Sequence, residues 1–80
     1  MYTLLVEYLG YDLDRDKIIQ KIAKVQPIED RYGLGIRDRV FKFKNKKSAL
    51  KTYSKLKKIS GLQLKLIDES NDDYFVIIEN

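Results

Sequence analysis

The apolar residues of this 80-residue chain switch between a two-residue and a helical period, and the order of the switches leaves few folds open. In "YTLLVEYL", Tyr2, Leu4, Val6 and Tyr8 alternate with Thr3, Leu5 and Glu7, which predicts a strand with one buried face. "GYDLDRD" then supplies a turn glycine and three aspartates. Asp14 is the expected N-cap, with Asp12 as the alternative, and Asp16 falls in the first turn, where the helix dipole favours a carboxylate. Through "RDKIIQKIAKVQ", Ile18, Ile19, Ile22 and Val25 recur at helical spacing, with Lys17, Lys21 and Lys24 on the wet side. Pro27 is expected to end this helix, because the residue before a proline is pushed out of the α region.

"IEDRYGLGIRDRVFKFK" predicts two strands joined at "YGLG", where Gly33 and Gly35 can take positive φ in a hairpin loop. Phe41 and Phe43 there alternate with Val40, Lys42 and Lys44. Asn45 is the expected cap of a second helix whose core stripe is Ala49, Leu50, Tyr53, Leu56 and Ile59, with Gly61 as its C-cap. In "LQLKLI", Leu62, Leu64 and Leu66 alternate with Gln63, Lys65 and Ile67. A polar turn, "DESNDD", then leads to "YFVIIEN", read as a fifth strand.

This order predicts one α+β domain over residues 1–80, a ferredoxin-like split βαβ (βαββαβ) arrangement. Two helices would cover one face of an antiparallel sheet in strand order 4-1-3-2, and the C-terminal fifth strand would lie beside the fourth. Within that class, "LLVEYLGYD" and "RDRVFKFKNKKSALKTY" match in phase the first strand with its turn, and the third strand with the second helix, of the RNA recognition motif, which the chain resembles over residues 4 to 66. The resemblance implies RNA binding, which in that family uses aromatics on the open sheet face to stack on bases. The matching positions here are Leu5, Asp38 and Val40, so the family's base-stacking aromatics are absent.

Charge points to another surface. The net charge is +4, yet from Arg37 to Lys58 ten basic residues face Asp38 alone, and from Asp68 to Asn80 there are five acids and no base. Lys47, Lys51, Lys55 and Lys58 form one ridge on the second helix, flanked by Lys46 and Lys57, and that helix contains no acid. The ridge, with Lys42, Lys44, Arg37 and Arg39, is the candidate nucleic-acid surface, RNA before DNA. Cross-strand pairing with Glu7, Glu29, Asp30 or Asp38 is the competing role for Arg31, Arg37, Arg39, Lys42 and Lys65, and the favoured one for Arg39 and Lys65. Leu5, Val40, Ile67, Phe75 and Ile77 would form an apolar band on the open sheet face, a candidate interface for a protein partner or a homodimer.

No cysteine or histidine is present, which removes disulfides, thiolate nucleophiles, imidazole bases and the usual zinc ligands together. Neither "YGLG" nor the three aspartates complete a phosphate or calcium loop. No catalytic residue, metal site or cofactor is expected, and the chain reads as a binding protein and not as an enzyme. No apolar run approaches the ~20 residues that span a bilayer, and residues 1–9 are too short and acidic for a signal peptide, so a cytoplasmic location is expected. The lysine and isoleucine bias also resembles accessory proteins of AT-rich phages that bind host proteins. A phage protein of that kind would work in the host-cell cytoplasm.

Overall fold

The computed structural model describes residues 1–10 and 13–69, together with the backbone of 75–79. Its elements are β1 (Tyr2–Leu9), α1 (Leu13–Ala23), β2 (Glu29–Gly33), β3 (Ile36–Phe43), α2 (Lys46–Leu56), β4 (Gln63–Asp68) and β5 (Phe75–Glu79). The strands lie in the order β2-β3-β1-β4, all antiparallel, which is the ferredoxin-like order expected from the sequence. The backbone of β5 pairs beside β4. The side chains of Phe75 and Ile77 lie outside the described residues, and so does their expected place on the open face.

Register explains the core. Phe41, Leu4 and Leu66 stand side by side across β3, β1 and β4, and Val6 pairs with Leu64 in the next row. All five are buried under the two helices with Ile19, Ala23, Ala49, Tyr53 and Leu56. Among the described residues no helix is long and apolar enough to cross a membrane.

The helix limits differ from expectation. The helix α1 begins at Leu13, so Asp14 lies inside the first turn and is not the cap; Asp12 is outside the described residues. It ends at Ala23, well before Pro27, because Lys24 turns left-handed at φ 63°. The Lys24 N–H still donates to the Gln20 carbonyl at 3.0 Å, and Gln20 Nε2 donates to the Val25 carbonyl at 2.8 Å, closing the end of the helix. Ile19 and Ala23 are its buried residues, Ile22 packs against the core half-buried, and the expected core residues Ile18 and Val25 are exposed. The helix α2 ends at Leu56 with Lys57 as its C-cap, so Gly61 closes the following turn and not the helix itself.

In the β2–β3 hairpin the positive φ values fall on Leu34 (54°) and Gly35 (78°), one residue later than expected at Gly33. Consecutive left-handed residues make a type I′ turn, the hand that suits the twist of paired strands. Leucine is a poor fit at such a position and here is fully exposed. Leu34→Asn, which recreates the favoured Asn-Gly pair, is expected to stabilise the fold by about 0.5–1 kcal/mol in chemical denaturation.

Candidate nucleic-acid interface

The helix α2 is started by Asn45, whose Oδ1 accepts from the backbone N–H groups of Lys47 (2.7 Å) and Ser48 (3.4 Å). Ala49, Thr52, Tyr53 and Leu56 then bury one face of the helix. That leaves Lys47, Lys51 and Lys55 on the far side of the helix, and Lys46 at its start, Lys57 at its C-cap and Lys58 in the turn beyond are exposed as well. Among the described residues none of these six, nor Lys24 or Lys44, forms an ion pair. Lys46 and Lys47 occupy the first turn, at the positive end of the helix dipole, where no acid is present.

A cleft of about 400 Å³ opens between this helix and the C-terminal end of α1. Lys51 and Lys55 line it from α2, Lys24 from the left-handed turn after α1, and Lys44 from the end of β3. Its apolar part comes from Ile22, Ala23, Val25 and Phe43, its neutral polar part from Asn45, Ser48 and Thr52, and no acid lines it. Lys24 is the member that sequence reasoning missed. Helical periodicity set it among the wet residues of α1, and nothing in the local sequence tells that the chain reverses at that residue to bring it opposite α2.

The other expected cations are placed elsewhere. Arg37 and Arg39 are on the helix-covered face of β3, in register with Tyr8 and Val6 of β1 and with Tyr32 and Asp30 of the hairpin. Arg37 grips Asp30 with two hydrogen bonds, at 2.8 and 2.6 Å, and also donates to Asp16. This grip holds the Asp30 carboxyl below its ordinary range and pushes the guanidinium of Arg37 up. Arg39 is only 6% exposed; it donates to the Asp16 carbonyl (3.2 Å) and Gln20 Oε1 (2.9 Å), and lies 5.3 Å from the centre of the Phe41 ring. Its Nε is 3.7 Å from Asp30, so the pairing role weighed for Arg39 is met in part from β2. Arg31 pairs with Glu29 at 3.3 Å.

Tyr8 completes this network by donating its phenol to Asp16. Burial and then the bonded carboxylate push its pKa from 10.0 to about 12. A raised folded value means that the folded state favours the neutral phenol. The stabilisation is therefore complete below pH 10 and is lost as pH climbs from 10 toward 12. Tyr8→Phe is expected to melt at a lower temperature than the wild type at pH 8, with the gap narrowing between pH 10 and 12.

On the open sheet face Lys42 donates to Glu69 at 3.1 Å, and Glu69 also accepts from Thr3 at 2.6 Å; these bonds, the Thr3 hydroxyl first, hold the carboxyl below its usual range. Lys42 is thus on the face opposite the helices and already has an anion. Leu5 and Val40 are cross-strand partners on this face, but Val40 is only 8% exposed. Ile67 stands in the next row, opposite Thr3, and Lys65 takes the place across β1 from Leu5. Among the described residues, Leu5, Val40 and Ile67 thus share the open face with Lys42 and Lys65. Among the described residues no group of three or more acidic side chains could hold a metal ion. No protein-family model, curated protein or solved structure matches the chain, and the level at which its architecture joins known proteins is that of fold, a βαββαβ ferredoxin-like domain.

Proposed function

We propose that this domain is a non-catalytic binder of nucleic acid, RNA before DNA, through the lysine face of α2 and the adjoining Lys44 and Lys24. The observation that carries the reading is a cluster of cations set against local helix physics. Lys47, Lys51 and Lys55 repel one another at i, i+4, and Lys46 and Lys47 oppose the dipole. Sequences violate such local preferences mainly where a function compensates elsewhere. An external polyanion supplies that compensation.

The resemblance to the RNA recognition motif stops at the sheet. Leu5, Asp38 and Val40 carry no π-face, and Lys42 is occupied by Glu69. The contact therefore moves from the sheet to the helices, where affinity is electrostatic and only weakly sensitive to sequence. With three to four phosphate contacts, each contributing a slope of about −0.7, binding of a single strand should weaken roughly 20- to 50-fold between about 50 and 200 mM salt. Fluorescence anisotropy with labelled oligouridine measures this directly, and an affinity indifferent to salt would reject the reading.

A second reading, a protein-interaction module, is favoured by one observation. The backbone bond from Gly10 N–H to the Gly35 carbonyl holds the end of β1 against the hairpin tip, and Leu9 and Leu34 are exposed on these segments. On this reading a partner protein or a second copy would meet the hairpin end of the sheet. Association that survives high salt and is lost in Leu9→Asp, read by analytical ultracentrifugation or pull-down, would favour it over nucleic acid.

A further inference from the structure

We propose that the cleft between α2 and the C-terminal end of α1 seats one nucleotide unit of a bound RNA strand, with the base on Phe43, Ile22 and Val25 and the phosphate among Lys24, Lys44, Lys51 and Lys55. The inference rests on the nucleic-acid reading and goes further, since a basic ridge alone follows phosphates without holding any base. The cleft, at about 400 Å³, is within the size of small-ligand sites, which run from about 300 to 1,000 Å³. Its two halves differ in chemistry. The floor is apolar and includes the one aromatic ring among the lining residues, while the rim is cationic and free of acids. An inorganic anion would leave the floor unused, and an apolar ligand would leave four ammonium groups without a partner. A nucleotide satisfies both, by apolar contact of its base with the floor and by phosphate contact at the rim.

Lys24 supplies a second line of argument. Its backbone is in the left-handed region, at φ 63°, where a side chain clashes and glycine would not. The turn is nevertheless held in place by Gln20, which accepts from the Lys24 N–H through its carbonyl and donates through Nε2 to the Val25 carbonyl. Local stability asks for glycine here, and the chain carries a cation on the rim of the cleft instead.

Two measurements test the proposal. In a titration followed by amide NMR, 5′-UMP is expected to shift Ala23, Val25, Asn45 and Thr52, and to bind at least about threefold tighter than uridine or inorganic phosphate. Equal affinity for phosphate alone, or shifts confined to Lys46, Lys47, Lys57 and Lys58, which do not line the cleft, would overturn it. In the second measurement, Lys24→Gly is expected to raise the melting temperature by about 2–6 °C, yet to weaken octauridine binding at least about fivefold, beyond the loss caused by Lys58→Ala. Equal losses in the two variants, or displacement of octauridine by octaglutamate as effectively as by a second octauridine, would mean charge alone and would overturn the cleft while leaving the ridge reading intact. Cleft shifts with UMP in a protein that shows no affinity for octauridine would overturn the proposal together with the nucleic-acid reading, since the cleft would then take a free nucleotide and not a unit of a strand.

Discussion

Charge reversal of Lys47, Lys51 and Lys55 together is expected to lower affinity for single-stranded RNA by at least about 100-fold at moderate salt, below what a weak electrostatic binder can show in anisotropy. Each substitution removes a phosphate contact and adds a repulsion, and all three side chains are exposed, so no packing is disturbed. The fold should not suffer. A glutamate at position 47 enters the first turn of α2, where a negative charge is favoured by about 0.3–1 kcal/mol, and the i, i+4 repulsion among lysines is merely exchanged for the same repulsion among glutamates. The expected result is a variant with unchanged or slightly raised melting temperature and no RNA binding. Retained affinity in this variant would remove the ridge from the site. A matching reversal at Lys42, which is paired with Glu69 on the far face of the sheet, is expected to leave RNA affinity within about twofold of wild type.

Arg39→Ala is expected to be the most destabilising change at a polar position, at about 3 kcal/mol, or a fall of roughly 10–20 °C in melting temperature. The domain as a whole is expected to have only about 4–12 kcal/mol of stability, at 0.05–0.15 kcal/mol per residue. Arg39 occupies a core register position beside Val6, stacks near Phe41 and joins β3 to α1 through Asp16 and Gln20. Truncation removes its aliphatic stem from the core and strips Gln20 of a partner. Gln20 also holds the Lys24–Val25 turn, so the rim of the cleft should loosen with it. Arg39→Met separates packing from charge. It keeps the stem and avoids desolvating a cation, and because Arg37 still satisfies Asp30 no charge is orphaned, so the loss should stay below about 1.5 kcal/mol. Urea denaturation of the two variants checks the difference, and equal losses would make the ionic contacts, and not the packing, the larger contribution.

The basic face of α2 was legible because it depends on one helix alone. Apolar spacing from Ala49 to Leu56 sets which side is buried, Asn45 announces the start, and the lysines take what remains. The cleft was not legible, because it needs two helices and a strand end brought together from residues 22–25, 43–45 and 48–55. The polar network had the same obstacle. Asp16 was assigned to the helix dipole and Tyr8 to the core, both correct locally, but the bond between them and the grip of Arg37 on Asp30 join separate elements.

Periodicity and turn chemistry by themselves determined the order of elements, the strand order that follows from it, the faces of β1, β3, β4 and α2, and the position of most of the core. These are local properties, since a side chain's face is set by its spacing from near neighbours. Tertiary structure decided where α1 stops, which of its isoleucines face inward, which groups of α1 and β2 hold the two arginines, and that Lys24 meets Lys51 and Lys55 across a cleft. Those outcomes depend on how elements distant in sequence compete for the same space and the same hydrogen-bond partners. A reversal at one left-handed residue is enough to redirect a side chain that its helical period had assigned to solvent.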